Sequence, residues 1–123
     1  MADLMFHFGC GIAAGTVAGL PAVLRHARPP ARVSNIAAAW LLSAWALGLW
    51  AIAPSLLRAI GLPSAISAAP CMNIFFFHPL LDRLENGGML KGEMLTSGAF
   101  LLQYLTLAWL IALRNRAASG HQV

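Results

Sequence analysis

The stretch FHFGCGIAAGTVAGLPAVL, Phe6 to Leu24, contains no Asp, Glu, Lys or Arg. At ~1.5 Å per helical residue, a run of this length matches the ~30 Å hydrocarbon core of a bilayer. Two further runs share the property, Ile36 to Ala53 and Met94 to Leu113. All 12 charged residues of the 123 therefore lie outside these three segments. A chain that is 59% hydrophobic has too little polar surface to cover such runs in water. The composition defines an all-α polytopic membrane helix bundle, a single integral domain over residues 1–123 with no soluble domain beside it. The acidic start, Met1-Ala2-Asp3, lacks the positive region of a signal peptide, so Phe6–Leu24 reads as a retained span.

The net charge of +4 comes from basic residues at the ends of the apolar runs. That placement marks topology and headgroup anchoring to membrane lipid, with no nucleic-acid partner implied. Arg25-His26-Ala27-Arg28-Pro29-Pro30-Ala31-Arg32 is a basic loop that its proline pair keeps from being helical. By the positive-inside rule the Arg25–Arg32 loop is expected in the cytoplasm and the N-terminus outside; the high Ala, Arg and Gly content suggests a bacterial source, hence an inner membrane. Cys10 and Cys71 form no CxxC pair and imply no disulfide framework.

Ile60–Leu81 decides the span count. It is uncharged but interrupted by Gly61, Pro63, Pro70 and Pro79. Leaving so much apolar sequence in water is costly, and proline is common in membrane helices, so four transmembrane helices are expected, the third kinked at Pro70. Three spans plus a re-entrant segment is the alternative. Charge counting does not separate them: the richer side holds five cations against three in either case. Trp40 and Trp50 near the ends of the second span, and Trp109 near the end of the last, have the positions of interfacial anchors.

Three patterns could carry function. Gly11, Gly15 and Gly19 recur every four residues and form one smooth helix face, extended by Ala14 and Ala18. That face fits close packing against a partner subunit, a second copy, or another span of the same chain. Ser64, Ser67, Cys71 and His78 fall within roughly a 60° arc of a continuous helix, a candidate polar stripe along a path or ligand site. His7 and His78 are candidate haem ligands. With four spans they sit at different depths, ~20–25 Å apart, and cannot share an iron; with three, both approach the outer face. No metal site is expected, because a His7/Cys10 pair is far short of a zinc ligand set. The carboxylates Asp82, Glu85 and Glu93 share a loop with Arg83 and Lys91, and none lies within a span, which argues against a proton- or cation-coupled transporter.

Phe6-His7-Phe8-Gly9 through Gly19-Leu20-Pro21-Ala22-Val23-Leu24-Arg25-His26 resembles the first helix of HemJ-type protoporphyrinogen oxidases and CopD-like membrane proteins. The resemblance covers about 20 of the 123 residues. It implies a small helical bundle with His7 as a haem ligand. The HemJ type also relies on an intramembrane Lys, and no span here contains one.

The expected function is that of a non-catalytic accessory subunit or assembly factor packing against a larger membrane complex or a second copy. A haem-binding membrane oxidoreductase using His7 is one alternative, which keeps haem open as a cofactor. A small homo-oligomeric transporter or channel using the polar stripe is the other.

Overall fold

The computed structural model describes residues 4–26, 33–61, 63–67, 69–75, 77–84 and 88–119. Helix α1 spans Leu4–His26, α2 Val33–Ala59, α3 Ser64–Ser67, α4 His78–Leu84 and α5 Gly88–Ser119, with a 3-10 turn at Pro70–Ile74 between α3 and α4. Three helices are long and apolar enough to cross a membrane: α1, α2 from Ser34, and α5 from Leu90 to Ala117.

Helix α1 is the centre of the bundle, with α2 and α5 flanking it and touching each other little. The glycine face sets the α1–α2 contact. A Cβ on Gly11 would stand 2.6 Å from the Leu47 carbonyl oxygen, and one on Gly15 would stand 2.6 Å from Ala44 Cα. Gly19 lies under the Trp40 indole. Only hydrogen fits at these positions, so the backbones approach as closely as small-residue membrane interfaces allow. Partner numbers fall from Ala51 through Ala44 to Trp40 as α1 rises from Gly11 to Gly19, so α1 and α2 are antiparallel.

The α1–α5 contact has the opposite sense. Gly9 abuts Gly92, Leu95 and Thr96, and one turn-pair later Thr16 meets Gln103. Both series rise together, so α1 and α5 are parallel. Along α5, the buried positions Gly92, Thr96, Ala99, Gln103, Thr106 and Leu110 follow an alternating four-three spacing, the period that keeps one helix face on a neighbour. Two apolar clusters fill the bundle: Ile12, Ala44 and Ala99 near mid-height, and Val23, Ala37, Trp40 and Leu110 toward the α1–α2 turn. On one side Trp45 joins all three helices, edge-on to Phe8 at 5.9 Å and stacked on Phe100 at 5.6 Å.

Parallel α1 and α5 correct the four-span expectation. An intervening third span would have turned α5 antiparallel to α1. Instead α2 ends, and α5 begins, at the end of the bundle where α1 starts. The connecting residues leave and return to that same end, as the three-span alternative requires.

Local chemistry explains why the described residues between α2 and α5 form no long helix. Gly61 adopts φ +103°, which ends α2 and which glycine tolerates without a Cβ clash. Pro63, Pro70 and Pro79 each lack a donor. From Pro63 to Phe75 the backbone bonds between turns step by three: Ile66 N–H to Pro63 O at 3.0 Å, Ala69 to Ile66 at 3.0 Å, Met72 to Ala69 at 2.9 Å, Phe75 to Met72 at 3.0 Å. Ala69 is extended (φ −67°, ψ 147°), the conformation imposed on a residue before proline, so the chain is broken at Pro70 where a kink was expected. The Trp50 indole N–H donates to the Ile74 carbonyl at 2.8 Å, and its ring lies 4.9 Å from that of Phe75. From Ala59 to Trp50 is about 13 Å of helix, so the segment folds back alongside α2 by that much.

Candidate functional site

Thr16 lies where all three long helices meet, and its polar groups take part in three hydrogen bonds. Its hydroxyl donates to the Ile12 carbonyl at 2.7 Å and accepts from Gln103 Nε2 at 2.7 Å. Its carbonyl oxygen accepts the Trp40 indole N–H at 2.9 Å. Thr16, Trp40 and Gln103 are all buried. Each belongs to a different helix, so the two bonds that Trp40 and Gln103 donate fix α1, α2 and α5 at one height. In an apolar surrounding such bonds face no competition from water, and they specify register as well as association. Thr106, further along the same face of α5, returns its hydroxyl to the Leu102 carbonyl at 2.7 Å.

Trp40 thereby departs from its expected role as an interfacial anchor. Gly19 leaves room for the ring, and the Thr16 carbonyl gives its N–H a partner inside the bundle. Trp50 and Trp109 remain partly exposed, as anchors do.

A second polar layer lies nearer the start of α1. His7 is fully buried and edge-on to Phe6, with ring centroids 6.0 Å apart. The register that sets Gly11 beside Ala51 places His7, one turn earlier, level with Ser55, one turn later on α2. The hydroxyls of Ser55 and Thr96 are buried with no hydrogen-bond partner among the described residues. Thr96 faces Gly9, at a distance where only a glycine lets the hydroxyl approach the α1 backbone.

The expected site residues divide as follows. Gly11, Gly15 and Gly19 pack against α2 of the same chain. Ala18 is exposed and Ala14 is partly buried. Ser64 and Ser67 bound α3, Cys71 lies exposed in the 3-10 turn, and His78 opens α4. The side chains of Ser64, Ser67 and His78 lie outside the described set, as do residues 27–32 of the basic loop. Because these four residues are spread over three short elements, a single helical period does not align them as a stripe. His7 and His78 belong to the same end of the bundle, which removes the depth objection to their pairing. Among the described residues no group of three or more His, Cys, Asp or Glu is placed to hold a metal ion.

The residues that sequence reading passed over are Thr16, Thr96 and Gln103. The four-three spacing from Gly92 to Leu110 was the available signal, since it gathers Thr96, Gln103 and Thr106 on one face of an uncharged span. Comparison with protein-family models, curated proteins and solved structures finds no match to this chain.

Proposed function

We propose that this protein is a non-catalytic membrane subunit, an accessory or assembly component that works by packing its helices against other membrane helices. The observation that carries this reading is where the intramembrane polar groups go. Gln103 and Trp40 each bond to Thr16, joining three helices, a scaffold use of polar chemistry. A core whose polar groups join its own helices suits a part that works by packing within a larger assembly.

The same reading places the protein in a bacterial inner membrane. With three spans, Arg25, Arg28, Arg32, Arg114 and Arg116 share one side, against Arg58, Arg83 and Lys91 on the other. The richer side is cytoplasmic by the positive-inside rule, so the N-terminus is outside and the segment after α2 folds back from the outer face.

The test is the size of the native particle. Extracted from its own membranes in a mild detergent and run on a native gel, the chain is expected to migrate in a stoichiometric complex with a larger integral membrane polypeptide. Migration with copies of itself alone would contradict the accessory role.

A further inference from the structure

Helix α5 carries a second four-three seam, on the side away from α1. Leu90, Met94, Ser97, Leu101, Tyr104, Ala108, Ile111 and Asn115 follow the alternating spacing without a break, and every one is exposed. Tyr104 is 68% exposed and stands at the middle of α5, next to Gln103 and thus level with Thr16 at the middle of α1. Interfacial tyrosines reach water with their hydroxyl; a phenol at mid-height has ~15 Å of hydrocarbon on either side and is too short to cross it. Among the described residues neither Tyr104 nor Ser97 has a side-chain hydrogen-bond partner. A hydroxyl left bare in hydrocarbon is costly, so this face calls for a partner with a hydrogen-bonding group at the same depth. The outer face of α2 makes no such demand: its exposed Leu42, Leu49 and Leu56 are satisfied by lipid, and Ser43 bonds back to the Trp40 carbonyl at 2.8 Å.

We propose that the Ser97–Leu101–Tyr104–Ala108–Ile111 seam of α5 binds the same seam of a second copy, forming a parallel two-fold dimer with the two Tyr104 phenols hydrogen-bonded at its centre. Two copies inserted in the same orientation relate by an axis along the membrane normal, so each residue meets its counterpart at equal depth. Hydroxyls are both donor and acceptor, so Tyr104 and Ser97 are each self-complementary, whereas an unpaired amine or carboxylate would not be. Ser97 and Ala108, small and one repeat either side of the Leu101–Tyr104 centre, let the helices approach. The four-three period is that of left-handed helix pairs. The proposal rests on the reading of the protein as a packing subunit and names one of its partners.

The test is cysteine cross-linking in native membranes, on the full chain carrying Cys10→Ala and Cys71→Ala. Leu101→Cys, Tyr104→Cys and Ala108→Cys are expected to give disulfide dimers on oxidation; Gly98→Cys, off the seam on α5, and Leu42→Cys on α2 are not. In vesicles, Tyr104→Phe is expected to weaken self-association by ~3–10-fold, the range for one interhelical hydrogen bond in lipid, with helical content unchanged. No dimer at the seam, equal dimer at seam and control positions, or unaltered association of Tyr104→Phe would overturn the proposal. Cross-links from the seam to a different polypeptide alone would overturn the second-copy assignment while leaving the subunit reading in place.

Discussion

Gly15→Leu is expected to prevent the three-helix bundle from forming. The added Cβ alone would lie 2.6 Å from Ala44 Cα and 3.2 Å from both Ala44 Cβ and Leu47 Cδ1. The nearest of these atoms is backbone, so no rotamer change relieves the clash and α1 must move off α2. Overpacking a well-filled core costs ~1–3 kcal/mol where side chains can shift; here, with a whole helix to displace, the loss should reach or exceed the top of that range. The displacement would also pull Thr16 away from Trp40, whose indole N–H depends on the same close approach. Gly98→Leu is the control, since a Cβ at Gly98 meets nothing within 4 Å. Unfolding in mixed micelles, followed by circular dichroism as the denaturing detergent fraction rises, should show a large loss for Gly15→Leu and almost none for Gly98→Leu. Similar midpoints for the two variants would mean that α1 and α2 do not meet at Gly15.

Thr16→Val tests the polar centre of the bundle. Valine nearly preserves the shape but removes the oxygen that Gln103 Nε2 donates to, leaving a buried amide N–H without its partner. Such a group costs ~1–3 kcal/mol, toward the low end in a membrane because separated helices also find partners there. Gln103→Leu should cost less, ~0.5–1.5 kcal/mol. It removes the whole polar side chain, and the Thr16 hydroxyl keeps its bond to the Ile12 carbonyl. The order is therefore fixed: Thr16→Val is the more destabilising, and the double variant is less destabilised than the sum of the two single losses. Strict additivity in that cycle would show that Thr16 and Gln103 are not bonded to each other.

The membrane class and the three long helices were legible in the sequence because charge exclusion over a bilayer's thickness is a strong constraint. The close packing of Gly11, Gly15 and Gly19 was legible for the same kind of reason: a four-residue glycine repeat has few other uses. Which helix filled the groove was not, since α2 or another chain would satisfy the same pattern. Ile60–Leu81 was misread on hydropathy. Its uncharged length favours a span, but three prolines and the left-handed Gly61 leave no run of backbone donors long enough for one. Local chemistry outweighed the apolar count, and Trp50 gave the broken segment a place beside α2 through Ile74. Thr16 and Gln103 escaped notice because, 87 positions apart, neither announces the other until parallel helices bring them together.

Parallel α1 and α5 are the central claim, and the side of the membrane on which α5 ends tests it most directly. A single cysteine at Ser119, the last residue of α5, can be labelled with a membrane-impermeant maleimide in intact cells and in inverted vesicles, again with Cys10→Ala and Cys71→Ala. A second probe at Arg25, the end of α1, sets the reference. Three spans predict that Ser119→Cys and Arg25→Cys react from the same side, the vesicle exterior and not the cell exterior. Labelling of Ser119→Cys from the side opposite Arg25→Cys would require a fourth crossing and would contradict the fold.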